Sequence, residues 1–127
     1  MPKRAFVSFD YDYDKPLKDL LIGQAKNPDS PFEVYDWSIK EASQDWKVKA
    51  RSRIRASDIV IVICGKHTHQ AVGVAIELKL AQEEGIEYFL LNGYNGQTGK
   101  KPTTATDGDK IYKWTWPNLK TLVGGGR

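Results

Sequence analysis

Asp58–Cys64 reads DIVIVIC, and its last six residues form the longest unbroken apolar run in the chain. The run is mostly β-branched and has no polar alternation, as expected of a parallel strand covered on both faces. It is far too short to cross a bilayer. After it, Thr68–Glu84 has the clearest helical spacing in the chain, with Gly85 as the stop. Ile86–Leu91 then reads as a strand. Before it, Lys47–Arg55 is ambiguous between strand alternation and a helix that aligns Trp46, Ala50 and Ile54 at i, i+4 and i+8. Helix is chosen, because Lys, Arg, Ala and Ser suit helices better than strands, and Ser43 is the expected cap.

Further out, Arg4–Phe9 and Phe32–Tyr35 read as strands. Lys15–Ala25 reads as a helix with Asp14 as its N-cap and Pro16 in its first turn. Asn92–Asp109 is a long Gly/Thr/Lys-rich loop, which implies a role or mobility. Ile111–Trp114 makes a short fifth strand and Pro117–Val123 a last helix. The alternation of strands and helices implies a parallel sheet with right-handed crossovers and helices on both faces. The expected architecture is a single α/β domain over residues 1–123, flavodoxin-like in order, with a flexible Gly-rich tail at 124–127. Ligands of such sheets bind beyond the C-terminal strand ends. Here those ends are Asp10-Tyr11, Asp36-Trp37-Ser38, Cys64-Gly65-Lys66-His67 and Asn92-Gly93.

The chain has 127 residues, of which 40% are hydrophobic and 28% charged, which fits one soluble globular domain. The lone Cys64 excludes an internal disulfide and suits a reducing compartment. No basic start followed by an apolar stretch is seen, so no signal peptide is expected, and the expected location is the cytoplasm. A net charge of +3 does not call for nucleic acid. No nucleic-acid or membrane partner is expected, and Lys47, Lys49, Arg51, Arg53 and Arg55 are expected to form a solvated helix face.

On a wheel at about 100° per residue, Gly73, Val74, Leu78, Leu80 and Ala81 form one apolar arc, while Lys79, Gln82 and Glu83 lie opposite. Glu77 falls within the apolar arc. A carboxylate turned toward the sheet is costly unless it is paired or functional. It lies about two turns below the crevice, and Gly73, one turn above, leaves room over it. The bland alternative is a buried Glu bound to a backbone amide or to an Arg such as Arg4.

Other candidates are weaker. Asp10, Asp12 and Asp14 do not form a phosphoacceptor site, which would need its Asp at the end of the third strand, and an acidic loop would repel phosphate. Asp12 and Asp14 read as a solvated turn and a helix cap. Cys64, His67 and His69 lack a fourth ligand for zinc, so no metal is expected. His67 reads better as a loop residue contacting a ligand. Trp37 either stacks on a base or packs.

Several stretches, in order, resemble the bacterial TIR-like domains of the DUF1863 type, which include the TIR proteins of Thoeris anti-phage systems. They are Lys3-Arg4-Ala5-Phe6-Val7-Ser8-Phe9-Asp10-Tyr11, Asp36-Trp37-Ser38, Ser57-Asp58-Ile59-Val60-Ile61-Val62-Ile63, and Gly65-Lys66-His67-Thr68 leading to Val74-Ala75-Ile76-Glu77-Leu78. The resemblance covers nearly the whole chain. It implies a flavodoxin-like TIR fold and cleavage of the nicotinamide–ribose bond of NAD+, with the ADP-ribose cyclised or transferred to make a signal. It also implies a catalytic Glu on the helix after the third strand, within a pattern like W-C-x-x-E-L. Glu77-Leu78 matches the end of that pattern, and Gly73-Val74 stands where Trp-Cys would be.

Under this reading Glu77 stabilises the ribosyl cation and anchors the ribose. Phe9, Asp10, Tyr11, Trp37, Ser38, Gly65 and His67 are the expected substrate-binding residues. NAD+ is the substrate and no cofactor is expected. The expected partners are a second copy or another TIR domain, and an effector reached through the nucleotide signal. Two rival readings fit the same residues: a nucleoside deoxyribosyltransferase-like enzyme, which acts on an N-glycosidic bond with a Glu in a similar fold, and a non-catalytic TIR interaction module.

Overall fold

The computed structural model describes residues 2–38, 45–94 and 97–126. In chain order the elements are β1 (Lys3–Ser8), α1 (Lys15–Ala25), β2 (Phe32–Trp37), α2 (Trp46–Arg55), β3 (Ile59–Cys64), α3 (Val72–Glu83), β4 (Glu87–Asn92), β5 (Ile111–Tyr112) and α4 (Trp116–Val123). The strands form one parallel sheet in the order β2-β1-β3-β4-β5, with β3 central. This is the expected flavodoxin-like α/β fold.

All six residues of β3 are fully buried, so neither face of the strand meets water. Period two sends Ile59, Ile61 and Ile63 into a core with Ala5, Val7, Phe9, Leu21, Leu119 and Leu122, on the side of α1 and α4. Val60, Val62 and Cys64 go to the other side, against Phe6, Ala50, Ile54, Val74, Leu78 and Ala81 from β1, α2 and α3. The helical choice for α2 holds: Trp46, Ala50 and Ile54 are its buried residues. Its basic residues do more than face solvent. Arg51 and Arg55 pair with Glu84 at 2.5 and 2.8 Å, and Arg53 pairs with Asp36 at 3.3 Å.

Several local expectations need correction. The expected Thr68–Glu84 helix is divided. Thr68–Gln70 is a 3₁₀ turn, Ala71 is extended with ψ 101°, and α3 starts at Val72. The cause is the Thr68 hydroxyl, which accepts the Gly65 N–H at 2.7 Å and closes the loop before the helix can begin. Gly85, with φ 67°, ends the helix as expected. Asp14 occupies the N-cap position of α1, but its side chain makes no capping bond; it turns inward and is fully buried. Ser43, the expected cap of α2, lies outside the described residues, and Asp45 stands at that helix's N-cap position. The fifth strand stops at Tyr112. Thr115 is already extended as the cap of α4, its hydroxyl accepting the Asn118 N–H at 3.2 Å.

Strand β2 runs two residues beyond its expected end, to Trp37, and carries a register shift. Ala5 pairs with Val34, whereas Phe6 pairs with Asp36 and Val7 with Trp37, so Tyr35 is an extra residue opposite β1. From Asp36 onward every side chain of β2 is thereby on the opposite face from the one an unbroken ladder would give.

Among the described residues no helix is long and apolar enough to cross a membrane.

Candidate functional site

A cleft of about 350 Å³ opens at the C-terminal ends of β1 and β2, beside the start of α3. Phe9 to Tyr13 form one wall, His67 and the stretch from Gln70 to Val74 another, and Ser38 with Trp46 a third; Glu77 lines it as well. Each wall follows a strand end, because parallel crossovers gather such loops on one edge of the sheet.

Glu77 is 1% exposed. Its Oε1 accepts the Ser8 hydroxyl at 2.7 Å and the Ser38 hydroxyl at 2.5 Å. The Ser38 oxygen in turn accepts the Phe9 N–H at 3.1 Å, and the Ser38 N–H donates to Val7 O at 3.0 Å. The acid is therefore tied to β1 and to the end of β2 through two buried hydroxyls. Two donors on one oxygen fix the carboxylate plane, and each charge-assisted bond is among the stronger kinds. Arg4, the alternative partner considered from sequence, has its Nε 3.6 Å from Asp58 and its guanidinium over the Tyr35 ring.

Asp10 is 8% exposed, and its Oδ1 accepts the Asp12 N–H at 3.1 Å. Burial raises its pKa first; the nearby Asp12 charge adds to this, and His67 and the backbone donors oppose it. Tyr13 stacks on His67, with ring centroids 4.0 Å apart and planes at 25°. Tyr11 lies beside Phe9 at 6.0 Å.

The substrate-binding residues expected from sequence separate into two groups. Phe9, Asp10, Tyr11, Ser38, His67 and the expected catalytic Glu77 line the cleft. Trp37 and Gly65 are not among its lining residues. The extra residue in β2 puts Trp37 opposite Val7, on the α1 side, where the Lys18 ammonium sits 5.0 Å from its ring. Gly65 lies behind the cleft against Asp14: a Cβ there would come 2.5 Å from Asp14 Oδ2. Asp14 Oδ1 accepts the Tyr94 hydroxyl at 3.1 Å, and burial raises the pKa of the group, while the Tyr94 and Thr68 side chains oppose the rise.

The long loop after β4 is pinned to this region in its described part. Gly93 N–H donates to Cys64 O and Lys100 N–H to Gly65 O, each at 2.9 Å, while the Thr104 hydroxyl donates to Ala75 O at 2.6 Å. Burial pushes the Cys64 thiol up to about 12, so it stays protonated and is no nucleophile. Among the described residues no three His, Cys, Asp or Glu side chains are placed to hold a metal ion.

Sequence reasoning missed Ser8, Trp46 and Tyr13 as site residues. Ser8 was the most legible of them. By period two it shares a face with Phe6, the face that receives α3, and a hydroxyl there stands next to the helix carrying Glu77.

The fold and most of the length are shared with a solved 2-desoxiribosyltransferase from Leishmania mexicana. The TM-score is 0.64 and the identity 15%, and the match covers 98% of this chain and 99% of that one. At that identity the likeness is one of fold. No curated protein matches the sequence. The family model described as Thoeris protein ThsB, TIR-like domain, matches residues 6–92, which run from β1 through β4 and include Glu77. That match covers more than half the chain, and the chain therefore belongs to the family of ThsB TIR-like domains.

Proposed function

We propose that the protein cleaves the nicotinamide–ribose bond of NAD+ and releases an ADP-ribose-derived signalling nucleotide in anti-phage defence. The observation that carries this reading is Glu77, a buried acid held rigidly by Ser8 and Ser38 on the wall of a cleft at the strand ends. Nicotinamide leaves as a neutral base and needs no proton. The ribosyl carbon becomes oxocarbenium-like, and a fixed carboxylate stabilises it without having to reorganise. Glu77 has that role and also anchors the ribose hydroxyls. Asp10, Tyr11 and His67 border the rest of the ligand, and the apolar body of Trp46 limits the access of water. Capture of the cation by the adenine end gives a cyclic product, and capture by water gives ADP-ribose. NAD+ is the substrate and no further cofactor is invoked. The partners are other copies or TIR domains and an effector that reads the nucleotide, in the cytoplasm.

Mass spectrometry of the nucleotides formed from NAD+ tests this directly. A parallel incubation with deoxynucleosides tests the second reading, deoxyribosyl transfer, which the end-to-end fold match to the Leishmania protein favours. Base exchange without NAD+ consumption would transfer the assignment to that activity. Inertness toward both at high protein concentration would leave a non-catalytic interaction module.

A further inference from the structure

The charges around the cleft point to one portion of the substrate. Asp10, Asp12 and Glu77 line it, and the Asp14 carboxylate is buried close behind. The groups already resist one another: besides burial, Asp12 disfavours the charged form of Asp10, and Asp10 that of Asp14. Another anion would add to this repulsion. A cation would be welcome between these carboxylates and the Tyr11 and Tyr13 rings, which are 37% and 59% exposed. The volume of about 350 Å³ is at the low end of small-molecule sites, roughly 300–1,000 Å³. It suits one nucleoside. Among the described residues, Lys15 Nζ is 5.7 Å from the Tyr11 ring, Lys18 Nζ 5.7 Å from the Phe9 ring and Lys66 Nζ 5.7 Å from the Tyr94 ring, while His67 is the basic side chain that lines the cleft, against three carboxylates there.

We infer that the cleft takes the unphosphorylated pyridinium nucleoside as a substrate in its own right, and that the protein hydrolyses nicotinamide riboside. The inference rests on the proposed bond cleavage at Glu77 and adds a preference set by charge. The C1′–N bond breaks with its electron pair going to the pyridinium nitrogen, which leaves as neutral nicotinamide. Water adds at C1′ and gives ribose, and its proton passes to solvent. The 5′-hydroxyl can donate to a carboxylate of the cleft. A 5′-phosphate, carrying about −1.5 to −2 charges near neutral pH, can only oppose one. In a dinucleotide the phosphates lie outside the cleft, toward the Lys15 and Lys66 side.

The test is nicotinamide release together with equilibrium binding, measured on the purified protein with nicotinamide riboside, nicotinamide mononucleotide and NAD+. The riboside is expected to exceed the mononucleotide in kcat/KM by about tenfold or more, the effect of roughly one like-charge contact in a partly screened site. Asp12→Asn, at an exposed position, should narrow that ratio several-fold. A mononucleotide bound and cleaved as well as the riboside overturns the inference. Cleavage of NAD+ with the riboside neither bound nor cleaved also overturns it and leaves the NAD+ reading standing. Failure of all three substrates overturns both.

Discussion

The Ser38 hydroxyl lies 2.5 Å from Glu77 Oε1, so the last described residue of the β2 arm is tied directly to helix α3 across the top of β1. Ser38 is next to Ser8 because of the extra residue in β2. Were Tyr35 paired with Phe6 rather than standing as the extra residue, Trp37 would fall opposite Ser8, and the acid would meet an indole.

Ser38→Ala should therefore act through Glu77. Hydrogen bonds to a charged group are worth about 1.5–3 kcal/mol, so kcat for NAD+ cleavage should fall by about tenfold or more while KM changes little. Ser38→Thr, which keeps the hydroxyl, should recover most of the loss. Steady-state kinetics of both variants check this. Equal losses in Thr and Ala variants would show that Ser38 only packs.

Gly65 and Asp14 form a second dependency. A Cβ at Gly65 meets both carboxylate oxygens, at 2.5 and 2.6 Å, and Asp14 has no solvent-exposed surface into which to move. Gly65→Ala should cost about 1–3 kcal/mol, as overpacking does. In the Asp14→Ala background the same change should cost little, because the obstruction is gone. Denaturation of the four proteins in a double-mutant cycle measures this coupling, and additivity would contradict it.

The fold was legible because β3 is buried on both faces and has one strong pattern, and because α2 offered three aligned apolar residues. Glu77 was legible for the converse reason, as a charge on an apolar arc. Trp37 was read as lying beyond β2, whereas it is the strand's last residue and stands opposite Val7, because one extra residue inverts the face of everything after it and nothing in Phe-Glu-Val-Tyr-Asp-Trp marks where the ladder slips. The Asp14 side chain was misread because N-cap residue types are common in turns whatever their side chains do. Its burial depends on Gly65 and Tyr94, which are remote in sequence.

The α2–α3 ion pairs predict an acid limb of stability. Hydrogen bonds from Arg55 and Arg51 lower the Glu84 pKa to about 2 from an ordinary 4.5. A carboxylate whose folded pKa is depressed stabilises the fold above its unfolded value, and loses that contribution as pH falls toward the folded one. The melting temperature should thus drop between pH 4.5 and 2, and Glu84→Gln should flatten that part of the curve. High salt should shrink the difference, since these pairs are near solvent.

Assembly is the next expectation. The segment Asp36 to Ile39 is the part of the sequence expected to contact neighbours; Ile39 lies outside the described residues, and Trp37, 38% exposed, sits with Tyr35, 47% exposed, on edge strand β2. Specific activity should rise with protein concentration, in step with the oligomer seen by light scattering. Tyr35→Asp should weaken both without lowering the melting temperature by more than a few degrees, as exposed substitutions rarely cost much. Full turnover by a strictly monomeric, dilute protein, with no lag, would refute the dependence.

Glu77→Gln separates chemistry from structure. The amide keeps the shape of the side chain, and its oxygen can still accept from Ser8 and Ser38, but the negative charge is lost. If that charge stabilises a ribosyl cation, kcat should fall by about 10²-fold or more, the scale of losing a preorganised electrostatic stabiliser. The fold should survive and can gain stability, because a buried charge has been removed from a site that is 1% exposed. A purely structural acid predicts the reverse, with a lower melting temperature and unchanged turnover in whatever stays folded. Melting temperature and NAD+ consumption measured on one preparation decide between the two. A well-folded Gln variant with undiminished cleavage would remove Glu77 from the chemistry.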